Sequence, residues 1–259
     1  MRDTLKNKEY FDEFIDILYQ RIEKRISKIN NSEIKLERID IVKGSMSYGF
    51  LSILRAKYSR GDEMFSEDVR RDCENAITLM YEASNSKSQN ILHYIEEKEV
   101  KYLKQYTLQF HIDMIDMLSF GVLLNISIDC FQLIMNKIDK DGIKDFLYEF
   151  LIQSRITNRK KIEKENFQEF SWYRDRFKKL KDIINIDDKN TAQTMLKSFL
   201  ETSWYDSLKD SNLYNQHMRV GGNYLGYYCY IAAAIVKIKN LDDSSFRDNR
   251  YYPKDLIKF

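Results

Sequence analysis

Apolar side chains recur at steps of three and four residues from Phe11 onward. Phe14, Ile15, Leu18, Ile22, Ile26 and Ile29 share one face of a helix with it, while Glu9, Asp12, Glu13, Arg21, Lys24 and Arg25 occupy the other. Asn30-Asn31-Ser32 stops that helix. A second is expected over 33–58, with Gly44 and Gly49 weakening its middle and Ser59-Arg60-Gly61-Asp62 ending it. Ser66 opens a third helix. Its first-turn Glu67 and Asp68 suit the positive end of the helix dipole, and its apolar face runs through Val69, Cys73, Ile77 and Met80.

The helical period continues to the end of the chain. The polar stretch 84–90 reads as a loop, 94–124 as one or two helices, and 125–129 as a break. A shorter helical pair over 130–138 and 146–156 is joined at Asp139-Lys140-Asp141-Gly142, followed by a charged connection over 158–166. Amphipathic segments over 167–184 and 191–208 come next. Gly221-Gly222 then opens an apolar helix over 224–238, whose Ala232, Ala233 and Ala234 let neighbouring helices approach closely. No alternating run is long enough to predict a strand. The lone proline, Pro253, agrees with helices throughout, since its ring breaks helix interiors. The expected fold class is all-α, a bundle of roughly eight to ten helices. A soft boundary divides it into N-terminal (1–125) and C-terminal (126–259) halves packed together.

Composition narrows the function classes. A hydrophobic share of 43% supports a substantial core, and 18 Tyr with 15 Phe require much of it to be built from large rings. Lys and Arg number 42 against 40 Asp and Glu, so the formal charge is +2. That balance supports neither a protein that coats nucleic acid nor an acidic mimic of it, although local patches stay open. Cys73, Cys130 and Cys229 lie far apart in apolar or helical surroundings, as free buried thiols do in a reducing cytosol. The first residues lack the apolar core of a signal peptide, and the longest apolar run is too short to span a bilayer. The expected setting is the cytoplasm.

Partial motifs fail on chemistry. Gly44 and Gly49 have the spacing of a phosphate-binding loop, but Phe50 and Leu51 stand where Lys and Ser or Thr must be. Asp139, Asp141 and Gly142 match a calcium loop only in part, because Lys137 and Tyr148 occupy its first and twelfth ligand positions. His111, Asp113 and Asp116 scatter around a helix instead of sharing a face, and His93 and His217 are isolated. No nucleophile motif is present, so no catalytic residue, metal ligand or cofactor site is assigned. Trp204 and Leu208, four apart, read as core-facing. Arg155, Arg159, Lys160, Lys161 and Lys164 read as solvated helix ends.

Several elements together resemble one family. They are Arg2-Asp3, Tyr10-Phe11, the run Tyr58-Ser59-Arg60-Gly61-Asp62, Gly226-Tyr227, Ala232-Ala233-Ala234, the run Asp242-Asp243-Ser244-Ser245, and Tyr251-Tyr252-Pro253 with Asp255-Leu256. In this order and spacing the chain resembles PoNi, the immunity proteins of polymorphic nuclease effectors, from Met1 to Leu256. One position departs from the pattern. The family's helix after Gly-Tyr carries Trp and then Glu before the alanines, whereas here Tyr228 replaces the Trp and Ile231 stands at the Glu position.

The resemblance implies a non-enzymatic inhibitor. Its partner would be a cognate secreted DNA-cutting toxin of restriction-endonuclease-like fold, whose divalent metal is the toxin's own. It would protect the producing cell from its own and its siblings' toxin, with no direct contact to nucleic acid or membrane, and a homodimer is open. Carboxylates that pair with the toxin's basic surface are expected among Asp62, Glu63, Glu67 and Asp68 after the second helix. A second set is Asp242, Asp243, Asp248 and Asp255 in the tail. Tyr251, Tyr252, Pro253 and Leu256 are expected to clasp the chain end onto the bundle. Two alternatives are a helical nucleic-acid binder using the 155–164 patch and an enzyme with a site assembled from distant histidines and carboxylates.

Overall fold

Capping and periodicity set the first three helices close to where the hydrophobic pattern puts them. In this computed structural model, which describes residues 1–83, 90–96, 99–159 and 176–258, they are α1 (Lys8–Asn30), α2 (Leu36–Arg60) and α3 (Glu67–Glu82). The Asn7 side chain caps α1 by accepting from the Tyr10 amide at 3.1 Å, and Ser66 caps α3 through the Val69 amide. Gly61, at φ +101°, ends α2 in the left-handed conformation that glycine tolerates best.

The rest of the described chain continues with a hairpin, β1 (Ile91–Glu96) and β2 (Glu99–Tyr106), then α4 (Leu108–Leu123), α5 (Ile128–Lys140) and α6 (Phe146–Gln153). After residue 176 come α7 (Lys178–Asn185), α8 (Lys189–Thr202), α9 (Trp204–Ser207) and α10 (Tyr230–Lys239). The fold is a multi-helix bundle with ten α-helices among the described residues. Most of the expected loop over 84–90, most of the connection over 158–166 and the stretch 167–175 lie outside them.

The chain forms two compact units of interleaved segments. The first comprises Met1–Gln89, Ile126–Lys137 and Asn215–Gly226. Its centre is α2, buried from Met46 to Ser59 except at the half-buried Tyr48. Phe11, Ile15 and Ile22 of α1 and Val69, Cys73, Ala76, Ile77 and Met80 of α3 are buried in the same core. A Cβ at Gly49 would meet the Ile22 Cδ1 at 3.2 Å. The glycine therefore lets α1 lie close against α2 rather than merely weakening the helix. The 215–226 segment is tied in by polar bonds. The Ser59 hydroxyl donates to the Leu225 carbonyl at 2.7 Å, and the Tyr224 hydroxyl donates to Asp3 at 2.6 Å.

The second unit comprises Asn90–Asn125, Ile138–Tyr214 and Tyr227–Phe259. Here α4 is the central helix, buried along its length, and α10 packs on it with all three alanines at 0% exposure. Phe120 and Tyr230 meet at 4.4 Å between ring centroids. Lysines finish two helix ends, where cations meet the negative pole of the dipole. Lys237 donates to the Val122 and Leu123 carbonyls, and Lys239 to those of Ile184 and Ile186.

Two expectations need correction. The expected helical run from 94 begins instead inside the hairpin, within β1, with Ile91 paired to Tyr106 and Glu96 to Glu99 in antiparallel register. The segment is rich in Ile, Val and Tyr, which favour strands, but the Glu-Glu-Lys-Glu at its centre has strong helix propensity and obscures the strand pattern. The expected helix over 224–238 starts only at Tyr230. The preceding residues spend their backbone groups elsewhere. The Cys229 amide donates to the Tyr251 carbonyl at 2.8 Å, and the Tyr227 carbonyl accepts from the Trp204 indole at 2.7 Å. Gly226, at φ +91°, also suits no helix.

Candidate functional site

In the first unit α1 and α3 each pack along α2, and an open groove of about 670 Å³ runs over α2. Ile15, Ile22, Phe50 and Val69 give it apolar walls, and Ile26, 43% exposed, stands at its rim. At its base the Lys57 ammonium lies 2.6 Å from Asp72 Oδ2, and the Tyr19 hydroxyl donates to the same oxygen at 2.6 Å. The Lys57 nitrogen also sits 5.5 Å from the centre of the Tyr19 ring. Burial, followed by the hydrogen bond to Asp72, pushes the Tyr19 phenol well above its ordinary range, so Tyr19 stays neutral and keeps the proton it donates to Asp72.

Six carboxylates line the groove against three cations. Arg60 pairs with Asp62 and with Asp12, each at 2.7 Å, and Arg71 pairs with Asp68. Hydrogen bonds from Lys8 and Arg60 hold the Asp12 carboxyl below its usual value. Glu63 accepts from the Phe65 amide at 3.1 Å and stays exposed, as do Asp16 and Glu23 of α1. The structure thus brings together three of the four acidic residues expected after the second helix, namely Asp62, Glu63 and Asp68. Glu67 is exposed at the start of α3 but does not line the groove.

The tail residues divide differently. Asp242 is exposed and its carboxylate accepts from the Ser244 amide and hydroxyl, which hold it below its ordinary value. Asp248 is exposed and pairs with Lys254 at 2.7 Å, and Asp255 is exposed. Asp243, by contrast, is 2% exposed and accepts from Arg247 at 2.6 Å and from the Tyr252 hydroxyl at 3.0 Å. It holds the tail together from inside. Tyr251, Tyr252, Pro253 and Leu256 are buried, and the Tyr251 ring stacks on Tyr205 at 5.9 Å.

Other sequence candidates are engaged structurally. The Gly44–Gly49 spacing lies inside α2. Asp139 pairs with Arg159, which also bridges to Glu149, and Asp141 accepts from Tyr106 at 2.6 Å. His111 is buried with its Nδ1 2.8 Å from the Tyr148 hydroxyl. Trp204 and Leu208 face the core, and Ile231 is 0% exposed, so the position where the family pattern has Glu points inward in this chain. Lys160, Lys161 and Lys164 of the basic patch lie outside the described residues. Among the described residues no three His, Cys, Asp or Glu side chains are placed to hold a metal ion, and no helix is long and apolar enough to cross a membrane.

Sequence reasoning had not singled out Tyr19, Lys57 and Asp72. One signal was available. Arg55 and Lys57 interrupt the otherwise apolar "GFLSILRAKY", and charges in such a run must find an internal partner.

Comparison with known families addresses the whole chain. A family model described as "PoNe immunity protein (PoNi), N-terminal" matches residues 2–135, and one described as "PoNe immunity proteins (PoNi), C-terminal" matches residues 143–256. No curated protein and no solved structure matches. With both models matched in chain order, and the first alone spanning more than half the sequence, the chain belongs to the PoNi family of immunity proteins of polymorphic nuclease toxins.

Proposed function

We propose that the chain neutralises a cognate secreted antibacterial DNase by binding it directly in the cytoplasm, and that it performs no chemistry of its own. The match to both halves of the immunity family carries this reading. In this reading the target is a metal-dependent nuclease of restriction-endonuclease-like fold, and the protected cells are the producer and its siblings. The electrostatics are compatible with it. A DNase must present basic groups to hold phosphate, and carboxylates at the α2–α3 turn (Asp62, Glu63, Glu67, Asp68) are available to meet them. Protection in the cell calls for a dissociation constant near or below ~1 nM, about −12 kcal/mol.

Co-expression with a candidate nuclease toxin is the test, scored by cell survival and by recovery of a complex from the lysate. Survival with a stable complex is the expected result. Survival with no complex would replace binding by an indirect or enzymatic route. Light scattering on the free chain settles whether it binds as a monomer or as a homodimer.

A further inference from the structure

The α1–α3 groove combines two properties that a solvated helix face lacks. Part of its lining is apolar, so the stem of a long side chain entering it is partly removed from water. Its own cations are already engaged: Lys57 by Asp72, Arg60 by Asp62 and Asp12, and Arg71 by Asp68. The surplus of negative charge therefore rests on Asp16, Glu23 and Glu63, which are exposed and carry no ion pair among the described residues. Asp16 and Glu23 lie seven residues apart, two turns of α1 on one face, and Glu63 stands on the turn before α3.

We propose that this groove is the anchor of the toxin interface, and that its occupant is a basic segment of the nuclease's DNA-holding surface. Lysine or arginine heads meet Asp16, Glu23 and Glu63, while their methylene stems lie along Ile22, Phe50 and Ile26. The proposal rests on the direct-binding reading above and adds where and how binding occurs. A volume of about 670 Å³ admits several side chains but not a whole interface, which needs roughly 1,600 Å² of buried surface. The groove thus supplies the charged centre, and surrounding surface supplies the remainder. DNA, carrying the opposite charge to the expected occupant, is repelled by the same field, so occupancy of the groove and inhibition of DNA binding by the toxin go together.

The test uses the full chain and the purified candidate nuclease that the co-expression test identifies, inactivated at its metal site, with affinity measured by calorimetry or surface capture at several salt concentrations. The triple variant Asp16→Asn/Glu23→Gln/Glu63→Gln alters only exposed side chains, so its fold is checked simply by melting. It is expected to bind about a hundredfold more weakly and to lose most of the salt dependence of the native chain. Ile26→Lys, which adds a cation at the rim, is expected to weaken binding in the same direction. Asp248→Asn/Asp255→Asn on the tail is expected to stay within about threefold. Groove variants that bind within threefold of the native chain would overturn the proposal and leave direct binding standing. A tail variant that loses binding while the groove variants keep it would move the anchor to the tail. A native chain that protects cells but does not bind the nuclease would remove both this proposal and the reading beneath it.

Discussion

Lys57 and Asp72 form an ion pair at 2.6 Å with only 8% and 5% of their side chains exposed. Neither charge faces open water, so each depends on the other and on the Tyr19 hydroxyl. Removing one partner strands the other. Asp72→Asn is expected to cost about 3–5 kcal/mol of folding stability in urea titrations, because the Lys57 ammonium stays buried without its counter-charge. Replacing both, as in Lys57→Met/Asp72→Leu, should recover most of that loss. A single variant costing under 1 kcal/mol would mean that water reaches the pair.

The second unit predicts a dependence on acidity. His111 is buried against Tyr148 and Phe177. Burial pushes its imidazole below the ordinary value of 6.5, and the Asp145 carboxylate, 3.7 Å from Nδ1, offsets part of that. The folded chain therefore binds this proton more weakly than the unfolded chain does. The stabilisation is complete above about pH 6.5 and is lost as the pH falls from there toward the lower folded value. Melting curves between about pH 7.5 and about pH 5, which bracket the ordinary histidine value, should show stability falling in that direction. His111→Phe, which cannot take the proton, should flatten part of that slope while losing the Tyr148 contact. An unchanged slope would assign the acid sensitivity to carboxylates instead.

Much of this architecture is legible in the sequence because single physical rules decide it. The face Phe11-Ile15-Ile22 packs as its spacing demands, and Ser66 and Gly61 mark the ends of α3 and α2 by their capping chemistry. The hairpin was hidden because the charged run Glu96-Glu97-Lys98-Glu99, with strong helix propensity, falls in the middle of the segment. The start of α10 was hidden because Tyr227 and Cys229 bond to Trp204 and Tyr251, residues far away in sequence. The groove was half visible. Asp62, Glu63 and Asp68 stand out as an acidic cluster after a helix stop. Asp16 and Glu23 sit on a polar face that reads like any other solvated helix surface, and only the packing of α1 and α3 on α2 turns that face toward a groove.

The chain end offers the last prediction. Leu256 is 1% exposed and Tyr252 is 2% exposed, and between them Pro253, at φ −83° and ψ 65°, makes a tight turn closed by the Lys254 amide donating to the Tyr252 carbonyl, which leads into a short 3₁₀ turn. If this segment locks the second unit, Leu256→Ala should cost about 2–4 kcal/mol, since it removes buried methyl groups and leaves a cavity. Tyr252→Phe should cost only about 1 kcal/mol, because Asp243 keeps its bond to Arg247 when the phenol is gone. Both are read from urea midpoints at constant slope. Affinity for the nuclease, measured under conditions where both variants remain folded, should match the native chain. A tail whose disruption weakened toxin binding without touching stability would be a contact surface, and the buried rings of Tyr251 and Tyr252 argue against that outcome.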